Sequence, residues 1–302
     1  MRFSDDDRAD ASQVDDRRGQ GGGFGFPGGR LGVGAGGLGV VGTLIYFAFQ
    51  LLGGNATPPG DSANTRPGSP NGMPPSAPEA TNAALGGSCA GASSSADQAK
   101  FISCVESSVQ TFWRGRLPRY SSAKLVLFTD ETQSGCGMAS AATGPFYCPS
   151  DREVYLDLGF FNELHARFGA RGGDFAEAYV VAHEYGHHVQ DLLGVEKKYR
   201  AAVEQSPGRA NALSVHLELQ ADCYAGVWGH SAYASGKVAA SEVADALDAA
   251  AAIGDDRIQR EVSGRVRPEK FTHGTSAERQ KWFNTGMSSG DPDQCDTFGG
   301  SL

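Results

Sequence analysis

The chain has 302 residues, 40% hydrophobic and 9% aromatic, enough for a buried core in one large domain or two small ones. Twenty-six Lys and Arg against 35 Asp and Glu leave a net charge of −9 with no basic block, which sets nucleic acid aside as a partner. The 42 glycines follow no three-residue period, which excludes collagen.

Residues 1–30 are polar and glycine-rich, with Asp5, Asp6, Asp7, Asp15 and Asp16 against Arg8, Arg17, Arg18 and Arg30. Such a segment lacks the apolar surface to fold alone and reads as disordered. Residues 31–52, LGVGAGGLGVVGTLIYFAFQLL, carry no charge. As a helix they would be about 33 Å long, near the thickness of a bilayer's hydrocarbon, so the leading reading is a single transmembrane anchor. A glycine-rich loop, a buried soluble helix and a cleaved signal peptide are the rivals, although no small-residue cleavage site is obvious. Arg17, Arg18 and Arg30 precede this segment, and the first basic residue after it is Arg66. The positive-inside rule then places the N-terminus in the cytoplasm and everything after Leu52 outside. Residues 53–98 hold seven of the chain's 14 prolines and no aromatic residue. They read as a flexible tether spanning about 40 Å.

The folded domain is expected over 99–302. Ser95 and Gln98 have the spacing of a capping box, and Phe101, Val105, Val109 and Phe112 then recur at helical spacing. KLVLFT at 124–129 and EVYLDL at 153–158 read as strands. Asp174 and Glu177 resemble a second box, opening a helix to Leu193 with Gly194 as its stop. Further helices are expected over about 210–229, about 241–258 and from Thr275, which has Glu278 at the box position. Helix dominates and strands are few, so the class is α+β.

All six cysteines, Cys89, Cys104, Cys136, Cys148, Cys223 and Cys295, follow the expected anchor. An even number on the outer side fits disulfides in an oxidising compartment. Six cysteines allow 15 pairings; Cys136 with Cys148 is the favoured pair and Cys223 with Cys295 a second. No C-x-x-C occurs, which argues against a cysteine-ligated zinc.

The chemistry is expected on two helices. His183-Glu184-Tyr185-Gly186-His187 is H-E-x-x-H, and on a helix the two histidines share a face and reach one metal ion, with Glu184 beside its water. A catalytic zinc needs a third protein ligand and an open fourth position. The extended motif fails, since Gln190 and Leu193 stand where glycine and a third histidine would be. Glu218 on the next helix is the candidate third ligand. Asp222, one turn further on, is placed to accept the Nδ1–H of a ligand histidine, His183 by preference. That helix is apolar nearly all round, so buried carboxylates on it need a cation or a hydrogen-bonded partner. Glu184 is the expected base, and His273 the leading donor to a developing oxyanion, with Arg279 and Tyr224 behind it. His188, His165, His216 and His230 read as polar surface or helix residues. Gly254-Asp255-Asp256 could place a carboxylate near the site, but a helix end and polar turn is the leading reading.

HEYGHHVQ, ELQADCYAGVW, CGMASAATGPFYCP, VYLDLGFF, IGDDRIQ, THGTSAERQKWF and QCDTF, with the early VDDRRG, together resemble a bacterial membrane-anchored family of neutral zinc metallopeptidases. The resemblance covers nearly the whole chain except the tether. It implies a helix-rich, zincin-like fold, one Zn²⁺ per chain on His183, His187 and Glu218, and Glu184 as catalytic base. Combined with the expected anchor, the reading is a single-pass protein of the bacterial cytoplasmic membrane with its catalytic domain outside, cutting proteins or peptides. A zinc amide hydrolase for small substrates and a zinc-stabilised binding module are the alternatives.

Overall fold

A computed structural model describes residues 1–19 and 82–299. Its strands are β1 (Arg8–Ala9), β2 (Val14–Asp16), β3 (Gly87–Ser88), β4 (Lys124–Phe128), β5 (Glu131–Ser134), β6 (Gly137–Ser140), β7 (Phe146–Cys148) and β8 (Glu153–Asp157). Its helices are α1 (Gln98–Arg114), α2 (Gly159–Phe168), α3 (Asp174–Leu192), α4 (Val195–Gln205), α5 (Ala210–Ala234), α6 (Ala240–Ala252), α7 (Asp255–Ser263) and α8 (Ser276–Ser289). Helix dominates over small sheets, in keeping with the α+β class.

One four-stranded sheet has the order β2-β4-β8-β7, parallel except for β7, which runs antiparallel to β8. The runs Leu125–Phe128 and Val154–Leu156 are apolar without interruption because both faces of the sheet are covered. Alternate side chains sort by face. Leu125, Leu127, Val154 and Leu156 join the main helical core, whereas Val126, Phe128, Tyr155 and Phe146 form a second cluster on the other side.

Two helix starts and one break differ from the sequence expectation, and a third start agrees with it. Asp97, not Ser95, caps α1, its carboxylate accepting the Lys100 amide. Asp174 is the first residue of α3 instead of its cap, and its carboxylate accepts from Ser94. Thr275 and Glu278 do form their box. The alanine-rich helix expected as one piece is two, broken at Gly254, which packs against the start of α8 so closely that a Cβ would collide with Ser276. Helix α5 runs five residues beyond its expected end. A Cβ on Gly226 would strike the Phe283 carbonyl, and one on Gly286 the Cys223 carbonyl, so α5 and α8 touch backbone to backbone.

The expected localisation is corrected. Among the described residues no helix is long and apolar enough to cross a membrane. The segment 31–52 read as an anchor, the rest of the expected disordered segment beyond residue 19, and the tether up to residue 81 lie outside the described residues. Residues 1–19 were expected on the opposite side of a membrane from the domain, yet they are part of it. β2 pairs in parallel with β4, the Arg17 amide donates to the Leu127 carbonyl at 2.8 Å, and Phe3 packs on Phe101. Of the three arginines counted as an inside flank, Arg17 pairs with Asp15 at 2.8 Å and Arg18 with Asp16 at 2.6 Å, and Arg30 lies outside the described residues. Residues 82–97, expected in the tether, also pack, with Leu85 buried and Cys89 bonded to Cys104.

The disulfides are Cys89–Cys104, Cys136–Cys148 and Cys223–Cys295, including both pairs favoured from sequence. The second ties the β5–β6 hairpin to β7, and the third staples the C-terminal segment to α5.

Glu106 on α1 is fully buried, accepting from Ser107 at 2.8 Å and from Gln110. Burial pushes its carboxyl up to about 7. Because the folded value lies above the unfolded one, the stability from its neutral form is complete below the ordinary carboxylate pKa and is lost as pH rises through about 7. Glu106→Gln is therefore expected to shrink the fall in Tm between about pH 5 and about pH 8. Thermal melts at the two pH values check this, and an unchanged difference would refute it.

Candidate metal centre

His183, Glu184 and His187 lie on α3, and Glu218 and Asp222 on α5. The two helices meet where Gly186 faces Ala221; a Cβ at Gly186 would sit 2.9 Å from the Ala221 carbonyl oxygen. Without that atom the backbones approach, and the donors converge. His183 Nε2 is 3.2 Å from Glu218 Oε2, and His187 Nε2 is 3.5 Å from Glu218 Oε1. One donor atom from each of the three residues lies within 4.8 Å of the others, and all three are buried.

Each histidine is oriented through its other nitrogen. His183 Nδ1 donates to Asp222 Oδ1 at 2.8 Å, and His187 Nδ1 donates to Gln190 Oε1 at 2.8 Å. In the neutral imidazoles, which a bound cation requires, those Nδ1 protons leave the Nε2 lone pairs for the shared space. Gln190 is itself fixed, donating to the Leu217 carbonyl at 2.7 Å and to Gln220 at 3.1 Å. Sequence marks Gln190 only by the glycine it replaces, although its i+3 spacing from His187 is a legible clue. Asp222 carries more than one histidine: Tyr179 donates to it at 2.6 Å, and Arg279 grips it through Nε at 2.8 Å and Nη2 at 2.9 Å. Arg279, weighed from sequence as an oxyanion donor, is committed to this carboxylate.

The electrostatics favour positive charge in this space. Burial opposes protonation of His183, but the Asp222 and Glu218 carboxylates outweigh it and push the imidazole up to about 10. Burial likewise works against ionised Asp222 and Glu218. Arg279 and His183 nevertheless bring Asp222 down to about 2, and the surrounding histidines hold Glu218 well below the usual carboxylate range. A divalent cation fits this donor set: two imidazoles, one carboxylate, and a buried His187 Nε2 with no hydrogen-bond partner.

Glu184 is 4% exposed, and its Oε2 also has no hydrogen-bond partner. Burial raises its pKa above the ordinary range, with the histidines pulling the other way. His273 lines the same cleft. Asp255 positions it: one carboxylate oxygen accepts the backbone amides of Thr272, His273 and Gly274, and the other lies 3.2 Å from His273 Nδ1. Burial lowers the affinity of His273 for a proton, but Glu218 and Asp255 reverse the balance and raise its pKa. Asp255, read from sequence as part of a polar turn, thus belongs to the site. The Gly254 break is what brings it there.

Two other expectations are revised. His188 is fully buried instead of on the surface, its ring nitrogens meeting Tyr147 Oη at 3.1 Å and the Ser121 carbonyl at 2.6 Å. It fastens α3 to the edge strand β7. Tyr224 packs against Trp113, with ring centroids 5.5 Å apart, and does not line the cleft. His165, His216 and His230 stay on helices outside it, bonded to the Ala170 carbonyl, packed on Phe298 and bonded to the Met287 carbonyl respectively.

The family model described as "Putative neutral zinc metallopeptidase" matches residues 1–298, and the chain belongs to that family. The chain is 41% identical over 306 residues to "Uncharacterized protein YpfJ" of Escherichia coli K12, covering 98% of each. It is 47% identical over 219 residues to "Uncharacterized protein Rv2575" of Mycobacterium tuberculosis H37Rv, covering 67% of this chain and 73% of the relative. No solved structure matches. The family implies zinc, and the three converging residues are a set that can bind it.

Gln190→Met keeps the side chain's size and removes the acceptor for His187. Zinc binding is expected to weaken about 10–100-fold, read by competition with a chromophoric chelator. Wild-type affinity in a folded variant would show that Gln190 does not orient the ligand.

Proposed function

We propose that the protein is a zinc endopeptidase of zincin-like fold, with one zinc per chain held by His183 Nε2, His187 Nε2 and the Glu218 carboxylate. The observation that carries this reading is Glu184: a buried carboxylate with an unpartnered oxygen, next to the converging donors. A purely structural ion has no use for such a group beside it. When bound, zinc supplies a Lewis acid that acidifies water and polarises a carbonyl.

The chain's own residues do the rest. Glu184 takes the proton of the attacking water and hands it to the leaving amine. Its raised pKa brings it closer to working pH, where such a relay is most effective. Asp255 and Glu218 favour the protonated form of His273, whose other ring N–H is then the candidate donor to the developing oxyanion. Asp222 and Gln190 hold the two ligand imidazoles in the required tautomer.

A peptide is favoured over a small amide by the sheet edge. Among the described residues β7 pairs only with β8, and Pro145, the residue just before β7, lines the cleft beside Glu184. An extended chain added along β7 would bring its backbone toward the base.

Glu184→Gln is expected to abolish cleavage of unfolded proteins while zinc stays bound. New peptide termini are read by mass spectrometry and zinc by elemental analysis. Undiminished cleavage with bound zinc would sink the reading. His273→Ala is expected to lower kcat by about 10²–10³ with KM little changed, which steady-state kinetics on a single peptide would measure.

A further inference from the structure

A second cavity, of about 430 Å³, opens where α1, α5 and the first residues of the chain meet. It shares no lining residue with the cleft at the candidate metal centre. Trp228, which lines it, lies ten residues beyond Glu218 on α5, about 15 Å along the helix axis. Its volume falls within the range of about 300–1,000 Å³ that encloses a small-molecule ligand.

Charge on the lining cancels. Asp6 and Asp7 are balanced by Arg8 and Lys237, and Lys237 donates to Asp7. Neither an anion nor a cation finds a complementary field here. Hydroxyls supply the remaining polarity. Ser107 is committed, donating to Glu106 at 2.8 Å and accepting the Asp10 amide at 3.0 Å. Ser108 accepts the Trp228 indole N–H at 3.3 Å and keeps its own proton to donate. Ser235 donates to the Ala232 carbonyl at 3.1 Å and keeps its lone pairs. Among the described residues, the side chains of Asp6, Arg8, Thr111 and Ser231 make no hydrogen bond or ion pair. Donors and acceptors are thus interleaved. A hydroxyl is both at once, whereas a carboxylate only accepts and an ammonium only donates. Beneath this polar rim the lining is apolar: Trp228 and Ala232 are buried, and Phe112 is half-buried. An aromatic face takes C–H groups, and the rim takes hydroxyls.

We propose that this cavity binds a neutral saccharide, a mono- or disaccharide unit that is either free or part of a glycan. A sugar ring carries both surfaces the cavity offers, with C–H groups on its face and hydroxyls around its edge. The inference goes beyond the peptidase reading and does not depend on it. It gives the chain a carbohydrate-recognising site toward the C-terminal end of α5, away from the zinc donors.

The test uses the full chain and saturation-transfer NMR on maltose, cellobiose and N,N′-diacetylchitobiose, with titrations for Kd. At least one of them is expected to bind and to move the Trp228 indole N–H resonance of the isotope-labelled protein. Among glucose, glucuronate and glucosamine, the neutral sugar is expected to bind tightest. Equal Kd for a disaccharide and its hexasaccharide would identify a free sugar or chain end as the occupant, and a tighter hexasaccharide a stretch of glycan. Thr111→Ala and Ser231→Ala are expected to weaken binding about two- to tenfold for each hydroxyl removed. Ser231→Phe, which fills the cavity, is expected to abolish it, with thermal melts showing which variants fold. Failure of every neutral sugar to bind overturns the inference. So does tighter binding of a charged sugar, binding that leaves the Trp228 resonance in place, or a folded Thr111→Ala/Ser231→Ala double variant with wild-type Kd. None of these outcomes touches the peptidase reading, which is tested by cleavage.

Discussion

The candidate site depends on one contact between backbones. α3 and α5 meet where Gly186 faces Ala221, and the absence of a single Cβ lets them approach. A histidine side chain is short, and so is a glutamate. Three donors from two helices come within 4.8 Å of one another only if the helix axes are close. Small residues at a crossing permit that, and here the small residue sits inside the H-E-x-x-H stretch itself. The motif therefore encodes both the ligands and the clearance that brings the third ligand to them.

Close approach concentrates charge, and the fold manages it with partners. Asp222 and Glu218 are carboxylates without solvent, which is costly unless they are paired and hydrogen-bonded. Asp222 meets this with Tyr179, His183 and a two-point grip from Arg279. Arg279 arrives on α8, and α8 reaches α5 because Gly226 and Gly286 allow backbone contact. The same kind of clearance thus acts twice, once for the donors and once for the group that supports them. Asp255 completes the pattern with three backbone amides and one imidazole.

The sheet sets the other wall. β4 and β8 are buried on both faces, so the sheet is a rigid layer, and β7 at its edge is tied to α3 through His188 and Tyr147. The Cys136–Cys148 bond holds the preceding hairpin to that strand. On the far edge, β2 comes from the first 19 residues, which pack on the domain and remove the topology inferred from flanking arginines.

Much of this was legible in one dimension. His183, Glu184 and His187 follow from helical spacing, Glu218 and Asp222 from acidic residues on an otherwise apolar helix, and the two central strands from unbroken apolar runs. These are local properties: period, spacing, and the cost of burying a charge. The residues missed, or ranked behind a blander reading, are of another kind. Gln190 and Asp255 matter because of what lies across from them, not because of their neighbours in the chain. His188 looks like a surface residue until β7 covers it. The pairing of β2 with β4 joins residues more than a hundred positions apart, and nothing in a short polar strand announces its partner. Sequence marked which side chains could hold a metal. Tertiary structure alone decided how near they come and what fixes them, because distance between helices is set by packing at glycines such as Gly186, Gly226 and Gly286, whose role shows only when the facing backbone is in place.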